Sequence, residues 1–216
     1  MRRLKQLRTY EVALEKAGLG PVAGIDEAGR GACFGPVTIA ACVLPPEPIA
    51  ALDGLTDSKK LSAKKREVLY DDIRTAAIAY DVIHVPAAVI DRRGIQHANL
   101  DGARRAVAGL GVDPGYVLVD AFRVPGLRAP QLPIVGGDYT ARCIAAASVL
   151  AKVSRDRLVT EMASEYPVYG LEGHKGYSTK VHMDAVRRHG ASREHRYSYS
   201  NVRDADRFHT ELRGRA

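Results

Sequence analysis

Four acidic residues stand where apolar segments of the chain end. Asp26 and Glu27 follow one short apolar run, and Asp120 ends another. Asp138 stands after two glycines, just before a predicted long helix. Carboxylates gathered without matching cations repel one another, and Mg2+ or Mn2+ relieves that repulsion through the hard oxygen ligands it prefers. The pattern predicts a divalent-metal site, although each acid taken singly is also typical of a strand end or a helix cap.

The adjacency of Asp26 and Glu27 raises a geometric question, because neighbours in a regular strand point to opposite faces. Gly29 and Gly31 follow at once and permit irregular backbone. We therefore expect strand pairing to break near Glu27, so that both carboxylates reach one site. A Glu27 side chain pointing across the sheet from Asp26 would argue against a shared site.

A glycine-rich run, residues 29–35, follows these acids and has the spacing GxGxxxG. Dinucleotide-binding loops have the spacing GxGxxG and lead into a helix, whereas a strand is predicted here. A dinucleotide-dependent enzyme is therefore disfavoured. The run is typical of a loop whose backbone N–H and C=O groups can approach a sugar closely.

The elements that must position these residues follow from the apolar periodicity. The predicted strands cover residues 22–27, 36–44, 79–85, 116–120 and 131–135. The predicted helices cover residues 62–77, 87–110 with a break near Gly94, 140–164 and about 178–190. Three strands come first and strand–helix alternation follows, which indicates an α/β fold with a central mixed sheet, antiparallel among its first three strands. Residues 191–216 are predicted to carry only weak structure.

Composition limits the class of protein. The chain has 216 residues, a net charge of +7 and a pI near 9.4, which favours polyanionic partners. Its three cysteines, Cys33, Cys42 and Cys143, have no paired spacing, which argues against disulfides and structural zinc. No apolar run could span a membrane, and the basic start, Met1–Arg8, reads as a short amphipathic helix rather than an export signal. We expect a cytoplasmic protein.

Six sequence blocks, in order, resemble the type 2 ribonuclease H family (ribonuclease HII). They are Gly24–Gly31, Asp57–Ser62, Val119–Asp120, Gly137–Asp138, Ile144–Ser148 with Ala151–Asp156, and His174–Tyr177 with His182. Together they cover roughly residues 20–200. The resemblance implies an endoribonuclease with a ribonuclease H-like fold, in which helices flank a central mixed five-stranded sheet. It also implies a single domain over residues 1–216, with a helical C-terminal portion over about 165–216.

The resemblance assigns roles position by position. Asp26, Glu27, Asp120 and Asp138 match the family's metal-binding, catalytic acids. Gly29, Arg30 and Gly31 match the loop that recognises the ribonucleotide's 2′-hydroxyl, and Tyr177 matches the tyrosine that stacks on the sugar beside the cut. Candidate phosphate contacts are Lys59, Lys60, Lys152, Arg155 and Lys175. Gly136 and Cys143 depart from the lysine and serine expected at their positions.

The implied reaction is hydrolysis assisted by two Mn2+ or Mg2+ ions, leaving 5′-phosphate and 3′-hydroxyl ends. The implied substrates are RNA–DNA hybrids and duplex DNA with a single ribonucleotide, cut on its 5′ side to begin its removal in ribonucleotide excision repair. No obligate protein partner is implied, and we expect a monomer. Two rivals stay open: another nuclease of this fold that acts on branched DNA, and a catalytically silent module that binds RNA or hybrids.

Overall fold

The computed structural model describes residues 5–214. The strands are β1 (Val22–Ala28), β2 (Val37–Val43), β3 (Ala79–Val85), β4 (Tyr116–Asp120) and β5 (Gln131–Ile134). The helices are α1 (Thr9–Lys16), α2 (Ala63–Ala76), α3 (Ala87–Arg93), α4 (Ile95–Ala108), α5 (Arg142–Met162), α6 (Leu171–His174), α7 (Lys180–His189) and α8 (Ser200–Arg213). The start of the predicted N-terminal helix, residues 1–4, and the end of the basic tail, residues 215 and 216, lie outside the described residues.

The strands form one five-stranded sheet in the order β3-β2-β1-β4-β5. β1 pairs antiparallel with β2, whereas β1 with β4 and β4 with β5 are parallel. The predicted mixed sheet of an α/β fold is therefore confirmed. Because β1 and β4 run in parallel, their carboxyl ends, which carry Asp26 and Asp120, come to the same edge of the sheet.

The register at the end of β1 corrects one expectation. Pairing with β4 stops at Ile25, opposite Val119, as a break near Glu27 would require. Pairing with β2 continues, however, with Glu27 opposite Ile39 and Ala28 opposite Thr38. The predicted break near Glu27 is therefore wrong on the β2 side, because β2 extends far enough to pair with the whole end of β1.

Close packing of α5 on the sheet depends on small residues. A Cβ built on Gly24 of β1 would lie 2.2 Å from the carbonyl carbon of Cys143 in α5, so only glycine fits there. The first turns of α5 carry three consecutive alanines, 145–147, all buried in the core between sheet and helix. Ser62 caps α2, the predicted helix over residues 62–77, and accepts a hydrogen bond from the Lys65 N–H at 3.2 Å.

The described chain falls into two compact units. The first comprises the residues through Ala28, Thr38–Ile83 and Leu100–Val153, and contains most of the sheet. The second comprises Gly29–Val37, His84–Asn99 and the residues from Ser154 onward. The single domain over residues 1–216 stays a prediction.

The second unit has a core of its own, built around Phe34, Val159, Leu171 and Val186. It includes α8, in a stretch for which we predicted only weak structure. That prediction is wrong because Val202 and Ala205, three residues apart, bury one face of the helix. The break near Gly94 is confirmed, since α3 ends there with φ of 83°.

All three cysteines are free and buried. None of the helices within residues 5–214 combines the length and the apolar character that crossing a membrane requires.

Candidate functional site

The candidate metal-binding acids all belong to the first unit. Asp26 lies near the end of β1 and is 5% exposed, and Asp138 lies in a short 3-10 helix before α5 and is 3% exposed. Asp120 is the last residue of β4. Electrostatic interactions link Asp120 to both of the other aspartates, and their shared role as metal ligands stays a prediction.

Backbone irregularity follows Asp120 immediately. Ala121 has φ of 60°, a left-handed conformation that residues with a side chain seldom adopt. The chain thereby leaves the sheet at the residue after the carboxylate, and the turn before α5 is fastened to that carboxylate. The N–H of Gly137 donates to Oδ1 of Asp120 at 2.8 Å.

Glu27 is connected to this cluster through its neighbour. The Glu27 N–H donates to Oδ1 of Asp26 at 2.7 Å, and the charge of Glu27 acts on the Asp26 carboxyl. The regular register with β2 does not supply the kink that we expected. The role of Glu27 as a fourth metal ligand therefore stays a prediction.

A second set of side chains lies beside the aspartates. Sequence reasoning assigned no role to Asp57 or Tyr139 in this set, and only phosphate contacts to Lys59 and Lys60. Asp57, which caps a 3-10 helix over Ser58–Lys60, accepts the hydroxyl of Tyr139 at 2.6 Å and the N–H of Lys59 at 2.9 Å. Lys60 lies over the Tyr139 ring, with Nζ 4.3 Å from its centroid. The signal was present as the Asp57–Ser62 block, but that block does not reveal which groups it contacts.

Burial and the crowding of carboxyl groups raise the pKa values of two aspartates in the cluster. Burial raises the pKa of Asp26 well above its ordinary value, and the charges of Glu27 and Asp120 raise it further. Burial, Asp57 and Asp120 together raise the pKa of Asp138 to about 6. Burial opposes the ionisation of Lys59, but the surrounding carboxylates, led by Asp57 and Asp26, raise its pKa overall. The carboxylates of the cluster thus repel one another, and the charge of Lys59 offsets part of that repulsion.

This arrangement fits divalent cations in its donor chemistry. Among residues 5–214, no three acidic, histidine or cysteine side chains already stand as a ready-made set of metal ligands. The aspartates nevertheless offer only oxygen, and burial first and repulsion by neighbouring carboxylates second raise the pKa of Asp26 and Asp138. A bound Mg2+ or Mn2+ relieves that repulsion. Asp26, Asp120 and Asp138 are the residues that would hold it.

The candidate sugar-recognition loop, Gly29–Gly31, belongs to the second unit. Arg30 and Gly31 are exposed, and a Cβ built on Gly31 would meet nothing within 4 Å. The carbonyl of Arg30 accepts hydrogen bonds from the Tyr199 hydroxyl at 2.6 Å and from Nη1 of the buried Arg196 at 3.0 Å. The loop is therefore held from its inner side while Gly31 stays open to an approaching molecule.

The candidate phosphate contacts divide into three groups. Lys59 and Lys60 are exposed and Lys152 is half-buried, and their roles stay predictions. Nζ of Lys175 is occupied by Thr160 Oγ1 and the Glu172 carbonyl, both at 2.7 Å. Arg155 is 0% exposed and donates to three backbone carbonyls, which contradicts a direct phosphate contact.

Tyr177 is half-buried, and its backbone is fixed by a chain of buried histidines. Ser192 N–H donates to His195 Nδ1 at 3.0 Å, so the His195 proton lies on Nε2, 3.1 Å from His182 Nε2. His182 Nδ1 then donates to the Tyr177 carbonyl at 3.0 Å. Burial lowers the pKa of His182 to about 4 and that of His195 to about 3, so both are neutral near pH 7. Neither histidine has a ring nitrogen left for a metal.

Comparison with known proteins gives consistent matches. The family model described as Ribonuclease HII matches residues 23–202. The Ribonuclease HII of Corynebacterium efficiens is 69% identical over 207 residues, covering 96% of this chain and 90% of that protein. The solved ribonuclease H2 from Pyrococcus horikoshii aligns with a TM-score of 0.75 and 25% identity, covering 88% of this chain and 99% of that chain. Bst-RNase HIII, solved in complex with Mn2+, aligns with a TM-score of 0.72 over 92% of this chain and 74% of that chain; at 20% identity this likeness shows the fold alone.

Proposed function

Because this chain belongs to the ribonuclease HII family and is an endoribonuclease, we propose that it cuts the RNA strand of RNA–DNA hybrids and incises duplex DNA on the 5′ side of a single ribonucleotide. The observation that carries the chemistry is that Asp26 and Asp120 lie at the carboxyl ends of two neighbouring parallel strands, with the turn that holds Asp138 hydrogen-bonded to Asp120. Family membership removes the branched-DNA nuclease and the silent binding module as rivals.

The three aspartates, with Glu27 as a fourth, hold two Mg2+ or Mn2+ ions in this proposal. When bound, ions of this kind would activate a water and neutralise charge on the leaving 3′-oxygen. The residues of the chain set the geometry: Gly137 N–H orients Asp120, and Ser148 hydrogen-bonds to Asp26. No separate side-chain base is needed, and the products carry 5′-phosphate and 3′-hydroxyl ends.

Selectivity for RNA requires recognition of the 2′-hydroxyl, the group that DNA lacks. We assign that role to the backbone of Gly29–Gly31, supported by the exposure of Arg30 and Gly31. Tyr177 stacks on the neighbouring sugar. The basic charge of the chain, +7, favours the nucleic-acid substrate, and Lys59 and Lys60 provide phosphate contacts. A monomer in the cytoplasm would then begin ribonucleotide excision repair.

The test is cleavage of a labelled DNA duplex that contains one ribonucleotide, with Mg2+ and separately with Mn2+. An all-DNA duplex and a long hybrid serve as companion substrates. A single cut 5′ of the ribonucleotide, lost with chelator and in D120N, is the expected result. Cleavage of the hybrid alone would overturn the incision of single ribonucleotides and the role given to Tyr177.

A further inference from the structure

Arg155 of α5 is a fully buried arginine whose guanidinium group donates hydrogen bonds to three backbone carbonyls. Nε donates to the Pro36 carbonyl and Nη2 to the Phe34 carbonyl, both at 3.0 Å. Nη1 donates to the Lys175 carbonyl at 2.9 Å. Two of these acceptors follow the Gly29–Gly31 loop and the third precedes Tyr177 by two residues. One planar group therefore joins the two segments that the proposed function gives to ribose recognition.

The same guanidinium also lies directly against the loop. A Cβ built on Gly29 would stand 1.9 Å from Nε of Arg155, and Gly29 has φ of 82°. Both observations require glycine at this position. The first glycine of the loop is thus explained by its contact with Arg155, whereas Gly31 has open space around it.

On its other side, Arg155 faces the tyrosine. Its guanidinium carbon lies 5.2 Å from the centroid of the Tyr177 ring, within the range of a cation–π contact. Burial lowers the pKa of Arg155 to about 10, which leaves the group charged at neutral pH. A lysine could not reproduce this arrangement, because a single ammonium lacks the planar fork that reaches three carbonyls at once.

Burying a charged side chain costs free energy unless the surroundings compensate, and here backbone carbonyls and an aromatic ring do so. An apolar residue would fill the same volume more simply. An arginine, unlike an apolar residue, fixes the Gly29–Gly31 loop and the Tyr177 ring relative to each other.

We propose that Arg155 is a positioning residue that couples the Gly29–Gly31 loop to Tyr177 and thereby sets the preference for a single ribonucleotide over a continuous RNA strand. This inference rests on the proposed function, which makes the loop and Tyr177 the groups that recognise the sugar. Arg155 itself touches no substrate in this scheme. It acts through the two segments that it holds.

The test measures kcat/KM of the full-length enzyme on a single-ribonucleotide duplex and on a long hybrid of the same sequence, and takes their ratio. The variants are R155K, Y177A and their double mutant. R155Q, which keeps an amide donor, is made as a second variant in case R155K does not fold. V186A serves as the control for lost stability. Val186 is buried in the same core, so its truncation to alanine leaves a cavity there. Melting temperatures are recorded for all of them.

We expect R155K to lower the ratio by about tenfold, the effect of losing one well-made charged hydrogen bond in recognition. V186A should lower the melting temperature and leave the ratio unchanged. In the Y177A background, R155K should produce little further change, because the two residues act as one unit.

The other outcomes separate two failures. If Y177A lowers the ratio but R155K and R155Q leave it as in wild type, the coupling is wrong and the proposed function stands. Parallel losses on both substrates, as from V186A, would reduce Arg155 to a purely structural residue. If Y177A itself leaves the ratio unchanged, the assignment of Tyr177 fails, and the inference about Arg155 fails with it.

Discussion

The backbone N–H of Gly137 donates to Oδ1 of Asp120 at 2.8 Å, so the turn that carries Asp138 is fastened to the carboxylate that ends β4. A Cβ on Gly137 would lie 2.5 Å from Cδ1 of Ile144 and 3.3 Å from Oδ1 of Asp120. Only glycine lets the turn approach this closely. This contact at Gly137 therefore positions two of the candidate metal ligands, Asp120 and Asp138, before any ion binds.

This contact makes D120N an informative variant, because the amide of asparagine retains an oxygen that can accept from Gly137 N–H. The fold should survive while the ligand charge is lost. Charge stabilisation by a metal site is worth several kcal/mol, so we expect kcat to fall about a thousandfold or more. Cleavage assays and melting curves check this, with D113N, at an exposed aspartate shortly before β4, as the control. Activity within tenfold of wild type would remove Asp120 from the metal site.

The raised pKa of Asp138 predicts how stability depends on pH without metal. Its pKa rises from an ordinary 3.8 to about 6, so the folded state favours the protonated acid. That contribution is fully present below about pH 4 and is lost as the pH rises through 6. In chelator, wild type should lose on the order of 1 kcal/mol relative to D138N between pH 4 and 7.

Urea unfolding of both proteins across that pH range measures the difference directly. Adding Mg2+ at pH 7 should restore stability to the wild type and have a smaller effect on D138N. A difference between the two proteins that stays constant from pH 4 to 7 would contradict the raised pKa.

The sequence predicted those features that depend on local pattern. Asp26 and Asp120 could be placed at one edge because apolar strands ending in acids were recognisable and the alternation of elements indicated a mixed sheet. The register of Glu27 could not be predicted, because it depends on how far β2 extends beside β1. That extent is a property of two segments together.

The environment of Arg155 and the helix α8 could not be predicted, because both depend on packing between residues far apart in the sequence. Arg155 is wrongly predicted to contact phosphate, since nothing in its sequence neighbours indicates that the carbonyls of Phe34, Pro36 and Lys175 accept its hydrogen bonds. The helix α8 was missed because its buried face comprises only Val202 and Ala205 within a polar stretch. In both cases the deciding partners lie far away along the chain.

Replacement of glycine by alanine should have different effects at the two glycines of the recognition loop. G29A places a methyl group against Arg155 at a residue with positive φ, so we expect a loss of stability of about 1–3 kcal/mol. G31A adds its methyl group in open space, so the fold should keep its melting temperature. If a ribose approaches the backbone at Gly31, G31A should raise KM for the single-ribonucleotide duplex.

Melting curves and steady-state kinetics on the two variants test this contrast. A G31A enzyme with unchanged KM would show that the substrate does not approach the loop at this residue. A G29A enzyme as stable as wild type would show that Arg155 can move aside freely, which would also weaken the coupling inferred for it.

Lys59 interacts electrostatically with the acidic cluster, and its side chain is exposed. If it contacts a substrate phosphate, K59Q should weaken binding of every hybrid sequence alike and lower the slope of log affinity against log salt by about 1. Binding is measured by fluorescence anisotropy in the D120N background, so that the duplex stays intact. K16Q, at an exposed lysine that ends α1, is the matched change of charge. Equal salt slopes for K59Q and K16Q would mean that Lys59 acts on the carboxylates around it rather than on the nucleic acid.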